Sequence, residues 1–167
     1  MQNELTAKSS NKFLTFLGCV LLTLGLGTLS GYLSGAFNGY EGINMPSFAL
    51  PDWSYSIIWT VLYVMIGWAL YLLVTYSPRS RTDGRIRTAA IWLWAIQLAL
   101  NLLWPFIFFN VSYTVAFAIN AAIVAAVTSL VTLGFFVRPL SSIMLLPYWA
   151  WLLFASYQTL MVIVLNA

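Results

Sequence analysis

The 167-residue chain has no histidine, a single cysteine, and only seven Lys or Arg against four Asp or Glu. Without histidine, general acid-base catalysis loses its usual agent near neutrality, and a metal or haem iron loses its expected nitrogen ligand. A haem, if bound, is therefore expected to be held by its ring. Cys19 has no partner within the chain, so it forms no internal disulfide, leaves the redox compartment unread and reads as apolar filler. The shortage of charge, 7% of residues beside 62% hydrophobic ones and a mean hydropathy of +0.89, excludes a soluble domain of ordinary composition.

What the chain does have is long apolar runs. A bilayer core of about 30 Å needs roughly 20 apolar residues in a helix. Five stretches free of Asp, Glu, Lys and Arg meet that length: 13–33, 55–76, 88–109, 113–137 and 142–165. The fold class expected is an all-α membrane protein, a single five-transmembrane-helix bundle over 1–167. Residues 1–11 are polar and read as a frayed end. Residues 77–87 read as a hydrophilic loop opened by Pro78 and carrying Gly84, and two tight turns join the last three spans.

With the N-terminus cytoplasmic, all seven basic residues fall on one side: Lys8, Lys12, Arg79, Arg81, Arg85, Arg87 and Arg138. The other side carries only Glu41 and Asp52. Short basic loops stay in the cytoplasm, which predicts the N-terminus inside and the C-terminus outside. The net charge of +3 is then a topology signal and an attraction to anionic lipid, not a nucleic-acid surface. The first run ends in Ser34-Gly35-Ala36, like a secretory signal, but about 21 apolar residues exceed a signal core, so a retained helix is expected.

The absence of any ionisable Asp, Glu, Lys or Arg from the spans argues against proton-coupled transport and voltage sensing. Attention moves to neutral polar and aromatic side chains. Gln97, Asn101, Trp104 and Phe108 share one helix face, as do Tyr148, Trp151 and Ala155 after Pro147, and Trp59 with Tyr63. Amides in hydrocarbon must find partners, so Gln97 and Asn101 should face other helices or a polar cavity. From spacing alone these stripes are either helix packing or a pocket. The loop 34–54 mixes Gly35, Gly39, Gly42, Pro46 and Pro51 with Tyr40, Phe48 and Trp53, which fits either a lid over the bundle or aromatics at the membrane interface. Gly27, Gly31 and Gly35, and likewise Ala95 and Ala99, permit close helix approach, within the chain or in a homodimer.

Taken together, the residues resemble the TspO/MBR family, the translocator or tryptophan-rich sensory proteins, also called peripheral benzodiazepine receptors. Three blocks carry the resemblance: Gln97 to Trp104 followed by Phe108-Phe109; Pro147-Tyr148 with Trp151, Phe154 and Ala155; and Pro46-Ser47 with Pro51, Trp59, Leu62 and Tyr63. Tyr40 fits the tyrosine six places before the first of those prolines. The chain departs from the family at Gly39, Met45, Phe48 and Leu50, where Trp, Lys, Trp and Pro are usual. Thr159 stands where the family has Asn, and Pro105 sits one place early. No basic residue follows Arg138, so the sterol-recognition motif of animal members is missing.

The resemblance implies a five-helix bundle, often a homodimer, whose pocket beneath the first loop binds porphyrins such as protoporphyrin IX and haem, and benzodiazepine-type ligands. It implies ligand-binding roles for Tyr40, Phe48, Trp59, Tyr63, Gln97, Asn101, Trp104, Tyr148, Trp151 and Ala155, with no obligatory cofactor. Three functions follow as expectations. The first is tetrapyrrole transport, buffering or stress sensing. The second is light- and oxygen-dependent porphyrin degradation involving Trp59 and Trp151. The third is non-catalytic regulation of another membrane protein. The missing sterol motif and the lack of a clear mitochondrial transit segment lean towards a prokaryotic cytoplasmic membrane.

Overall fold

A computed structural model of the protein describes residues 2–37 and 39–167, with side chains described from Asn11 onward. Five helices follow one another: α1 (Gln2–Leu33), α2 (Asp52–Val74), α3 (Arg81–Asn110), α4 (Tyr113–Val137) and α5 (Pro139–Leu165). All five are long and apolar enough to cross a bilayer, and no strand occurs among the described residues. Large apolar side chains, among them Phe13, Leu29, Trp92, Phe136 and Val164, stand exposed. In water such a surface would aggregate; against lipid tails it is the solvated state.

The fourth helix has the bounds expected from hydropathy, but the other four begin earlier. The polar segment read as frayed is helical from Gln2, and α3 starts inside the segment read as a loop. Hydropathy counts apolar residues and is blind to polar turns that continue a helix beyond the hydrocarbon. For α3 the signal is a cap: Ser80 accepts from the backbone N–H of Asp83 at 3.1 Å, while the Asp83 carboxylate accepts from the N–H of Arg79 at 3.2 Å. Pro139 opens α5 at a position where its missing N–H costs nothing.

The helices close into a ring in the order α1, α2, α5, α4, α3, with α2 also touching α3 across the middle. Packing is uneven along the bundle axis. At the basic end Ile66, Ala69 and Leu73 of α2 meet Ala90 and Trp94 of α3, Val127 and Leu130 of α4, and Leu145 of α5, all buried. Neutral hydrogen bonds tie this half together: the Trp94 indole donates to the Ile66 carbonyl at 3.1 Å and Ser142 donates to that of Val131 at 2.7 Å. The other half, beneath the α1–α2 loop, is looser and contains the cavities.

Arg87, one of the basic residues gathered at the solid end, closes it. Its guanidinium donates to the carbonyls of Leu73 (2.9 Å) and Val74 (2.8 Å) in the last turn of α2. Arg87→Met is expected to lower unfolding free energy by about 1–3 kcal/mol, because two charge-assisted bonds are lost at a helix end. Thermal unfolding in detergent checks it, and an unchanged midpoint would refute the cap.

Candidate functional site

Glycine makes the open half possible. Gly27 of α1 lies under the Tyr63 ring, where an added Cβ would sit 2.2 Å from Cε2. Gly31, one turn on, lines open space with only the Phe37 ring near, at 3.7 Å. Gly35 has φ +77° and ends the helix: Ala36 donates to the Gly31 carbonyl and Gly35 to that of Tyr32, the paired bonds of a Schellman turn. The three glycines thus serve a ring, a cavity and a turn. Among these glycines it is Gly67 of α2 that meets backbone of α1, at Val20 and Cys19.

The cavity so formed has a volume of about 240 Å³. Its walls are Gly27, Thr28 and Gly31 of α1, Phe37 and Tyr40 of the loop, Asp52, Tyr55, Ser56, Trp59, Thr60 and Tyr63 of α2, and Asn101, Trp104, Pro105 and Phe109 of α3. Thr28, Ser56 and Thr60 are exposed, so its mouth runs from the loop down the seam between α1 and α2. A second chamber of about 30 Å³ lies deeper, against Trp151, Ala155, Gln158 and Thr159 of α5. Four rings, Tyr40, Tyr55, Trp59 and Trp104, line both and form the partition.

The partition is held by aromatic packing. Tyr40 stacks on Tyr55 with centroids 4.9 Å apart and planes 18° off parallel, while Phe109 meets Tyr40 edge-on at 5.1 Å. Burial, with Tyr55 and Asp52 nearby, raises the Tyr40 phenol well above its ordinary value, so it stays neutral. Trp59 contacts Tyr63 at 5.5 Å and Trp151 edge-on at 6.4 Å. Trp104 stacks on Phe108 at 4.7 Å and spends its N–H on the Ala116 carbonyl of α4, so that group is unavailable to a ligand. The Trp151 N–H, by contrast, is buried with no partner.

Behind the aromatic walls runs a chain of neutral hydrogen bonds. The Tyr63 hydroxyl donates to Asn101 Oδ1 (2.7 Å), Asn101 Nδ2 donates to the Tyr148 hydroxyl (2.8 Å), and that hydroxyl donates to Gln97 Oε1 (2.9 Å). Three helices are joined, and every amide on the inward face of α3 is accounted for except Gln97 Nε2, which is buried without a partner.

Of the residues singled out in the sequence, Tyr40, Trp59, Tyr63, Asn101, Trp104, Trp151 and Ala155 therefore surround the two chambers. Gln97 and Tyr148 lie one layer further in and line neither. Phe48 lies apart, stacked at 5.0 Å on the exposed Tyr157 ring of α5. The loop is also tied to α5 by Asn44, whose N–H donates to Asn166 Oδ1 while Asn166 Nδ2 donates back to its carbonyl, both at 3.0 Å. Trp53 is 69% exposed. Sequence reasoning missed Tyr55, although it precedes Trp59 and Tyr63 at the same four-residue interval; Gln158 donates to its hydroxyl at 2.6 Å. Asp52 and Phe109 were also missed as wall residues. Among the described residues no group of His, Cys, Asp or Glu could hold a metal ion.

Fold and site define a multi-pass membrane protein with an aromatic cavity beneath an inter-helix loop. The chain belongs to the TspO/MBR family, whose sequence profile matches residues 19–165. It is 28% identical to the tryptophan-rich protein TspO of Archaeoglobus fulgidus over 92% of this chain and 98% of that one. It is 30% identical to the protein of that name in Chlorobaculum tepidum (87% and 94% covered) and to the translocator protein of Sus scrofa (77% and 79%).

Proposed function

We propose that the protein binds flat, largely apolar ring systems, porphyrins above all, in the cavity under the α1–α2 loop, and acts as a translocator or sensor for them. The observation that carries this reading is the wall itself: rings from the loop, α2 and α3 converge on one cleft above the solidly packed basic half of the bundle. Aromatic faces suit a conjugated macrocycle, and the Tyr63–Asn101 pair supplies a polar edge for orientation. The 240 Å³ volume is below the roughly 300–1,000 Å³ of common ligand sites, so a macrocycle binds with the Tyr40 ring swung aside and the two chambers joined. Benzodiazepine-type ligands, smaller and also aromatic, fit the same walls. By the preference of basic loops for the cytoplasm, the cavity end faces away from it.

Titration of protoporphyrin IX into the folded protein in lipid nanodiscs should quench tryptophan fluorescence saturably. Gly31→Leu fills the cavity where a Cβ meets nothing closer than 3.7 Å. Affinity should drop tenfold or more while stability holds or rises by about 0.5–1 kcal/mol from the helical gain over glycine. Quenching equal in both proteins would refute the site.

A second reading, light-driven degradation of the bound porphyrin, is favoured by one contact: Trp59 and Trp151, the expected redox pair, lie edge to face. Illumination with oxygen should then yield a defined product, lost in Trp151→Phe; bleaching at the same rate in both proteins would remove this reading.

A further inference from the structure

The four arginines between Pro78 and Thr88 look equivalent in sequence, but the structure gives them different surroundings. Because α3 begins at Arg81, three of them stand on helical turns. Arg87 is half-buried and donates to the Leu73 and Val74 carbonyls of α2. Arg81 and Arg85, one turn apart, are exposed, on the side of α3 opposite its buried residues Ala90, Trp94, Gln97 and Asn101. Deeper along the helix the same exposed face continues through Thr88, Trp92, Ile96 and Leu103, at intervals of three, four and seven residues. Trp92 is 66% exposed, so its ring is not there to pack the bundle.

The order along this stripe is that of a phospholipid read from its phosphate downward: two cations, a hydroxyl, an indole, then aliphatic side chains. Arg85 and Trp92 are about 10 Å apart along the axis, and the headgroup layer is about 5–8 Å deep. An indole set at the edge of the hydrocarbon therefore leaves Arg85 among the phosphates, with the long side chain of Arg81 one turn above it. These two cations do nothing for the helix that carries them. A helix start already bears partial positive charge, and the Asp83 carboxylate, the one acid among residues 77–87, accepts from the backbone N–H of Arg79. Topology by charge needs only that arginines lie in this segment. It does not need two of them in line above an exposed indole.

We propose that Arg81 and Arg85 clamp the phosphate of an anionic phospholipid whose chains lie along the Trp92 to Leu103 face of α3. Guanidinium forks match phosphate oxygens, and an anionic lipid has no choline or amine of its own to offset that charge. The site lies at the opposite end of the bundle from the aromatic cavity and does not depend on what the cavity binds.

The test is native mass spectrometry of the full chain in neutral-detergent micelles, titrated with phosphatidylglycerol or with phosphatidylcholine of the same chain length. Each arginine near an anionic surface is worth about fivefold, so one phosphatidylglycerol should be held about tenfold or more tighter than phosphatidylcholine. Arg81→Gln/Arg85→Gln should abolish that preference. Folding is not at risk, because both positions are exposed and the change relieves the helix start of two cations. Arg79→Gln/Arg138→Gln removes the same charge from exposed residues at the same end that stand outside α3, and should keep the preference. Equal affinity for the two lipids overturns the proposal. So does an equal loss in both double variants, the mark of a diffuse attraction to the whole basic end. Inorganic phosphate in excess should leave the lipid bound; its displacement would mean that a free anion suffices, and would overturn the lipid as occupant.

Discussion

Gly67→Ala is expected to destabilise the bundle by about 1–3 kcal/mol, although alanine is the better helix former. The added methyl would lie 2.6 Å from Thr23 Oγ1, 2.7 Å from Val20 Cα and 2.8 Å from the Cys19 carbonyl oxygen. Two of these three neighbours are backbone and cannot turn aside. The third, the Thr23 hydroxyl, is buried and donates to the Tyr63 carbonyl at 2.8 Å, so moving it breaks the hydrogen bond that fastens α1 to α2. The gain in helix propensity, roughly 0.5–1 kcal/mol, is too small to offset that separation. Gly25→Ala provides the control: nothing stands within 4 Å of its Cβ position, so only the propensity gain remains and stability should rise. Unfolding of both variants in mixed micelles should move in opposite directions. If they move together, the close contact of α1 with α2 at Gly67 is not there.

Spans and charge asymmetry were legible because the bilayer imposes them on every turn: an uncharged run of 20 or so residues has few alternatives. The helix ends were less so. The capped start of α3 at Ser80 is written in polar residues that a hydropathy count discards, and the helical stretch before Phe13 likewise. Within the site, a four-residue interval put Trp59 and Tyr63, or Gln97 and Asn101, on one face. It could not say how deep along that face the cavity would lie. Depth depends on where α2 and α3 cross, and that leaves Asn101 at the wall and Gln97 a turn below it. The glycines show the same limit. Gly27, Gly31 and Gly67 are equivalent in sequence, yet one admits a ring, one bounds empty space and one touches backbone. Phe48 was drawn to the site by resemblance, and the path of the loop carries it to α5 instead.

Asn101→Leu should separate stability from ligand recognition more sharply than any other single change. The substitution keeps volume but removes the acceptor of the Tyr63 hydroxyl and the donor to that of Tyr148, both in buried residues. The Tyr63 hydroxyl is left without a partner, whereas that of Tyr148 keeps its bond to Gln97, so a loss of about 1–3 kcal/mol is expected in detergent unfolding. Gln97→Leu should cost less, about 1 kcal/mol, because Gln97 contributes one used acceptor and also an amide nitrogen that already lacks a partner. Adding Tyr63→Phe to Asn101→Leu removes the stranded hydroxyl and should return about 1 kcal/mol, a non-additivity that neighbours in one network show and distant sites do not. Porphyrin affinity should behave differently. It falls several-fold with Asn101→Leu, and Tyr63→Phe does not restore it, because the polar edge of the cavity is gone in both. Recovery of stability and affinity in parallel would mean that Asn101 acts on the ligand only by holding the helices in place.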